Sequence, residues 1–366
     1  MSFPARRMSS VRDFQPSESV DSPMVSFDHA LELLLDAEDL VIADVGAAYG
    51  LPWYLQVLDE WATLCLFEPN AARAEELRKA YKKSNRRKKA HVFETALSAS
   101  GGERVLYETN VPTGSSLLKP GSDALNEFGD PSYFFPIHAH RIQTRRLDDV
   151  LNEAGIQQVD FLKLDVQGAE IEVLHGLGER LRQSTLGVEL EVGLPGGYLE
   201  QPSMGEVDEF LRSRGFTLFD LRPVRLHRPV HGDRTYYPRQ VFGVHESSTS
   251  LSKRIWEVDA LYFRGAEHLL KAGDRSGLRK LVVLYCAYGF FAEAHYLLTR
   301  VMEDHILPSP EAEGLRNAVM AWHRHRHYSM KESPRGWTIR EFVSSWRNRL
   351  SRLFYRPRSS TWLVNE

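Results

Sequence analysis

Four charged side chains stand where apolar runs of this chain end, the position at which a buried strand first meets a ligand. Asp44 closes the run Val41 to Val45 and is followed by Gly46-Ala47-Ala48-Tyr49-Gly50. Glu68 closes Thr63 to Phe67. Lys163 and Asp165 fall two residues apart in the run Val159 to Val166, so a strand there would put both on one face. Two glycines just past a strand let the chain turn sharply and let a ligand approach the backbone. Their spacing is Gly-x-x-x-Gly, which lacks the middle glycine that a dinucleotide pyrophosphate needs. Asp44 beside the turn would repel a phosphate and attract a cation. Glu68 suits the paired hydroxyls of a ribose.

The ligand that satisfies these conditions is a nucleoside with a cationic tail, and S-adenosylmethionine is one. Transfer of a methyl group from a sulfonium is a single displacement, so the protein must align the acceptor oxygen and take up its proton. Asp165 is the candidate base or hydroxyl orienter, and Lys163 and Glu189 are placed with it as catalytic candidates. Pairing of Lys163 with Asp165 inside the sheet is the plainer alternative. Glu170 is a candidate acceptor contact that could equally support the first turn of its own helix. His138, at the end of the 108–138 segment, which reads as a long loop, and Tyr198, which could stack on a sugar ring, complete the acceptor set. His138 and His140 have no carboxylate at ligand spacing, so no metal is expected.

These residues need a scaffold of alternating strands and helices. Strands are expected at about 41–45, 63–67, 91–97, 103–107, at 141 onward, 159–166, 186–192, 216–221 and 257–263. Helices are expected at 27–35, 51–61, 71–84, 147–153, from 168, and at 204–214. Alternation from 40 to 221 reads as an α/β, doubly wound, mostly parallel sheet with two antiparallel strands at one edge. Residues 1–24 read as a disordered leader, 25–265 as the catalytic domain, 266–350 as a small α-helical appendage and 351–366 as a basic tail.

The 366 residues carry a net charge of −3 and 42% hydrophobic residues, which gives no global argument for nucleic acid or an anionic membrane. No apolar run is long enough to span a bilayer, and a cytoplasmic protein is expected. Cys65 and Cys286 both lie in apolar segments and read as buried thiols.

Several motifs resemble the FkbM methyltransferases from about 40 to 221. They are Asp44-Val45-Gly46-Ala47-Ala48-Tyr49-Gly50, Phe67-Glu68-Pro69, Ala96-Leu97-Ser98, Ser115-Ser116-Leu117, Arg146-Leu147-Asp148-Asp149, Phe161 through Glu170, and Gly215-Phe216. The resemblance implies a Rossmann-like class I methyltransferase fold with a seven-stranded sheet. It further implies S-adenosylmethionine as cofactor, held by Asp44, Gly46, Ala47, Gly50, Glu68, Ala96 and Leu97. The expected acceptor is a hydroxyl of a sugar, glycan or glycan-linked metabolite. The family usually carries Asn where this chain has Ala48, and Glu where it has Gln167.

Other classes remain in view. Eight basic residues between Arg78 and Lys89 suggest an RNA or DNA methyltransferase. The Asn/Asp-Pro-Pro-aromatic set common to base-amine methyltransferases is replaced here by Asp165-Val166-Gln167-Gly168, so nucleic acid is disfavoured. A non-catalytic interaction protein would be permitted by Ala48 and Gln167. A small-molecule or glycan acceptor is the expected partner, with homo-oligomerisation through the C-terminal helices as a further option.

Overall fold

The computed structural model describes residues 27–35, 39–52, 54–83, 88–121, 136–194, 197–226 and 254–331. The expected leader, the basic tail and most of the 222–253 segment lie outside the described residues.

A seven-stranded sheet organises the chain. Its strands are β1 (Leu40–Val45), β2 (Ala62–Phe67), β3 (Ala90–Phe93), β7 (Phe161–Leu164), β8 (Gly187–Gly193), β9 (Phe216–Leu226) and β10 (Arg254–Arg264). They lie in the order β3-β2-β1-β7-β8-β10-β9. All adjacent pairs run parallel except β10, which is antiparallel to both β8 and β9. All six residues of β1 are buried, as a central parallel strand covered on both faces must be. A smaller sheet in the order β4-β6-β5 is formed by β4 (Ala96–Leu97), β5 (Gly102–Thr109) and β6 (Pro136–Arg145).

Side-chain alternation sends the sheet's two faces into separate cores. One holds Ala43, Val45, Leu162, Leu164, Val188 and Leu190. It is covered by α3 (Leu147–Glu153), α4 (Glu170–Leu177), α5 (Arg180–Gln183) and α6 (Met204–Arg212). Helix α6 starts at Ser203, whose hydroxyl accepts from Glu206 N while the Glu206 carboxylate accepts from Ser203 N. The opposite face, with Ile42, Leu64, Phe161 and Phe263, packs against α1 (Phe27–Leu35) and three C-terminal helices. These are α7 (Ala266–Ala272), α8 (Arg275–Tyr288) and α9 (Phe291–Glu303). A fourth, α10 (Ser309–Lys331), packs on α1 and α9.

Three expectations change. The 51–61 segment forms only a short 3₁₀ turn, Gln56–Leu58. Pro52 interrupts it early, and Leu51, Leu55 and Leu58 join the same core as α8, which covers the surface a crossover helix would cover. The 91–97 strand is two strands, because after Phe93 the chain leaves the large sheet and β4 pairs with β6. The 108–138 segment is less loop than expected, since β5 runs to Thr109 and β6 begins at Pro136.

Helix α8 is fastened to the sheet at two points. Lys280 Nζ lies 3.1 and 3.2 Å from the two Asp160 oxygens, both residues being buried, and Asp160 also accepts from Val41 N at 2.7 Å. Burial raises the Asp160 carboxyl to about 6 against the pull of Lys280. Eight residues further along α8, the Tyr288 hydroxyl reaches Glu189 in β8. Removing one partner of a buried pair strands the other, so Lys280→Met is expected to cost about 3 kcal/mol in urea unfolding. Adding Asp160→Asn should recover part of that loss, giving a non-additive double-mutant cycle.

Candidate active site

The sheet registers bring the sequence-predicted charges into rows. Asp44 in β1 stands opposite Lys163 in β7, which stands opposite Glu189 in β8. Two residues on, Asp165 follows β7, Glu191 lies in β8, and Asp259 in β10 pairs with both Glu191 and Arg222 of β9. Period-two geometry puts these rows on one face.

Lys163 Nζ lies 3.5 Å from Asp44 Oδ1 and 3.6 Å from Asp165 Oδ2. Burial would lower the Lys163 ammonium, but the carboxylates of Asp44 and Asp165 outweigh it and hold it above the ordinary lysine value. Asp44 is 1% exposed, and neither of its oxygens has a hydrogen-bond partner. Burial raises its carboxyl to about 6, with Lys163 opposing and Asp165 and Glu189 adding to the rise. A buried carboxylate without donors is costly, and a cationic N–H donor from a ligand is the group that would relieve it.

The turn after β1 is held by the protein itself. Gly46 N and Ala47 N both donate to Phe67 O, at 3.0 and 3.1 Å, and Gly50 N donates to Ala47 O. Those amides are therefore spent and do not form a phosphate cradle. Gly46 has φ +85°, and a Cβ there would lie 2.0 Å from the Asp165 carbonyl oxygen. Gly50 has φ +74°, and its Cβ would meet the Tyr81 hydroxyl at 2.9 Å. Both glycines are thus required by the chain's own packing, beyond any need for ligand access. Glu68 is buried just past β2, accepts from Asn70 N at 2.8 Å, and is raised chiefly by burial. Ala96 and Leu97 form β4, with Leu97 buried.

The remaining candidates separate. Glu189 is buried and surrounded by the hydroxyls of Tyr54 and Tyr288 and by Arg222 Nη2 at 2.7 Å. Arg222 also sits over the Tyr54 ring, 4.5 Å from its centroid. Glu189 is thereby occupied as the anchor of the first crossover and α8, which does not suit the catalytic place expected for it. Glu170 turns inward, and its Oε1 accepts from Val166 N and Gly168 N, both at 3.1 Å. It orders the turn after β7, ahead of its own helix, where the sequence suggested an acceptor contact or support for the helix's first turn. His138 lies on β6, exposed, opposite Glu108. It is not among the residues lining the cleft described next.

Tyr198 is buried, and its hydroxyl lies 2.8 Å from both Gly114 O and Gln167 Oε1. It lines a small cleft with Gln167, Gly168, Glu191, Gly193, Gly197, Gln201, Trp256 and Glu257. Burial, then Asp165 and Asp259, raises Glu257 to about 8. Tyr54, Arg222, Tyr288, Glu191, Trp256 and Glu257 were missed by the sequence reading. The only signal was alternation, Glu189 with Glu191 and Glu257 with Asp259, which marks one face of a strand without saying what it meets.

A parallel sheet closed by one antiparallel strand, with a glycine turn after its first strand, is the architecture of the Rossmann-like class I methyltransferase fold. Residues 44–218, just under half of the chain, match the family model of the methyltransferase FkbM domain. Methyltransferase sdnD of Sordaria araneosa is 26% identical over 210 residues, covering 52% of this chain and 79% of sdnD. The 2-O-methyltransferase NoeI of Sinorhizobium fredii is 30% identical over 159 residues, covering 41% of this chain and 63% of NoeI. A crystal structure of a methyltransferase FkbM from Methylobacillus flagellatus aligns with a TM-score of 0.34 at 15% identity. That alignment covers 62% of this chain and 43% of that one. Among the described residues no helix is long and apolar enough to cross a membrane.

Glu170 offers a test of the site's electrostatics. Burial raises its carboxyl to about 7 despite the amides it accepts from. The folded chain therefore keeps this proton when the unfolded chain has released it, so stability falls as pH climbs from about 4.5 to about 7. Glu170→Gln retains the Oε1 acceptor and removes the titration. Its unfolding free energy should gain on the parent across that window by an amount on the order of 3 kcal/mol, read from urea curves at each pH.

Proposed function

We propose that this methyltransferase uses S-adenosylmethionine to methylate a hydroxyl of a sugar, glycan or glycan-linked metabolite. The observation that carries the cofactor assignment is Asp44, a buried carboxylate met by the Lys163 ammonium at 3.5 Å and by no closer donor, beside a turn in which the Gly46, Ala47 and Gly50 amides are already taken. The residues fit the group. Asp44 would take the ammonium of its amino-acid tail, Glu68 the ribose hydroxyls, and the Gly46–Gly50 turn with Ala96 and Leu97 would border the nucleoside. When bound, the cofactor supplies an electrophilic methyl group on sulfur.

The protein's part is to present the acceptor oxygen and receive its proton. Asp165 is suited to this: its side chain is 35% exposed while Lys163 and Gln167 hold its two oxygens from either side. A sugar hydroxyl is far less acidic than a carboxylic acid, so proton transfer to Asp165 belongs late in the displacement. The acceptor is assigned to the open edge of Asp165, beside the small cleft walled by Gln167, Tyr198 and Trp256. Support for oxygen as the acceptor atom comes from the similarity to NoeI, a 2-O-methyltransferase.

S-adenosylhomocysteine is expected to raise the melting temperature, and NAD is not; the reverse would sink the cofactor assignment. Because Asp44 binds as the anion, affinity for S-adenosylhomocysteine should strengthen as pH rises from 5 to 7 through its pKa of about 6. Calorimetry should find that pH dependence lost in Asp44→Asn. Acceptor class is tested with radiolabelled S-adenosylmethionine and a panel of methyl glycosides. On the responsive glycoside, Asp165→Asn should keep cofactor affinity within about twofold while lowering kcat at least about 100-fold, the usual worth of a general base.

A further inference from the structure

Gln167 occupies a place that its chemistry makes consequential. Its backbone is left-handed, with φ +57°, a conformation that costs a non-glycine residue energy and persists only when the surroundings enforce it. Ser116 Oγ donates to Gln167 O at 2.7 Å, and the Tyr198 hydroxyl meets Gln167 Oε1 at 2.8 Å. Two segments distant in sequence thus fix the residue. The outcome is the direction of its amide nitrogen, which donates to Asp165 Oδ1 at 3.0 Å and to Glu191 Oε1 at 2.6 Å.

Those two carboxylates extend from neighbouring strands into a crowded acidic face. Lys163 and Asp44 adjoin Asp165 on one side. Glu170 lies behind, Glu257 and Asp259 approach from β10, and Tyr198 faces Glu191 from the 197–201 segment. Burial first, and then Asp165, Glu257, Asp259 and Glu170, push Glu191 well above the ordinary carboxylate range. A glutamate at 167 would have no N–H to give and would add a third carboxylate between two others.

We propose that Gln167 is a positioning residue whose amide clamps Asp165 and Glu191 as a fixed pair, with Asp165 left open toward the acceptor. The clamp acts on Asp165 at Oδ1 while Lys163 holds Oδ2, so the carboxylate plane cannot rotate freely. Glutamine here is then a working part of the site and not the loss of a family glutamate. The proposal rests on the methyl-transfer role given to Asp165 above.

The experiment uses full-length protein and the variants Gln167→Glu, Gln167→Ala and Tyr198→Phe. The first readout needs no acceptor. In protein labelled with ¹³C at the glutamate carboxyls, the signal that disappears in Glu191→Gln reports Glu191. Its midpoint should rise by about one pH unit or more in Gln167→Ala and further in Gln167→Glu, because the anion loses a donor and then gains a like charge. The rise in Tyr198→Phe should be smaller. An unmoved midpoint in both Gln167 variants would overturn the clamp, even if their melting temperatures fall.

The second readout is kinetic, on the responsive methyl glycoside. Loss of positioning should lower kcat about tenfold in Gln167→Ala, with KM for S-adenosylmethionine within about twofold. An unchanged kcat would remove Gln167 from the reaction. Failure of wild-type protein to bind S-adenosylhomocysteine would instead defeat the cofactor reading, while the carboxyl titration would still decide the clamp.

Discussion

Lys163 puts an ammonium group in the interior of a parallel sheet, and the arrangement around it follows from the need to neutralise that charge. An isolated buried cation would shed its proton. This one keeps it because β1 supplies Asp44 in the facing register and its own strand supplies Asp165 two residues on. The arithmetic is unequal, with one cation between two carboxylates and further acids beyond, so the excess negative charge must be dealt with elsewhere. Asp44 carries it without a hydrogen bond, Glu257 and Asp259 carry it as raised proton affinity, and Gln167 disperses it with a neutral amide. The site is therefore built to receive positive charge.

The same face explains why the C-terminal helices lie where they do. The first crossover is too short and too interrupted by Gly50 and Pro52 to cover the sheet with a helix, leaving Leu51, Leu55 and Leu58 to be buried by something else. Helix α8 does this with Leu281, Leu284, Tyr285 and Tyr288. Two of its residues bind carboxylates at the sheet: Lys280 meets Asp160, and Tyr288 meets Glu189. Glu189 in turn receives Tyr54 from the crossover and Arg222 from β9. One carboxylate thus ties together a strand, a loop, an edge strand and a helix that are remote in sequence.

Much of the fold was legible because its signals are local. Alternating apolar runs and helical periods placed most elements within a few residues, and the helix Leu147–Glu153 matched at both ends. The failures came where tertiary packing overrides local pattern. The 51–61 segment has helical spacing of leucines, yet the covering helix arrives from about 220 residues later. The 91–97 run reads as one strand, yet Ala96 pairs with Thr144 in a second sheet, and the Ser98 and Thr144 hydroxyls meet at 2.8 Å. For the site, Asp44, Lys163 and Asp165 could be found because strand ends are where ligands bind. What each carboxylate bonds to depends on register across strands, and a single sequence does not carry that. Glu189 and Glu170 look equivalent to Asp165 by position in their strands and turns, and only their partners separate them.

That distinction sets how the carboxylates divide their work. A group suited to proton transfer must be reachable and yet held, and these requirements oppose each other in a crowded interior. Glu189 is held by two hydroxyl donors and the Arg222 guanidinium and has nothing left to offer an acceptor. Glu170 is consumed by the turn that presents Gln167 and Gly168. Asp44 is free of hydrogen bonds, but at 1% exposure it lies deeper than Asp165 and is the carboxylate proposed for the cofactor's ammonium, not for an acceptor. Asp165 combines restraint on both oxygens with an open edge, and each restraint comes from a residue that other contacts immobilise: Lys163 by Asp44, Gln167 by Tyr198 and Ser116. The chemistry can be concentrated on one carboxylate because the surrounding ones are already committed to holding the structure that aims it.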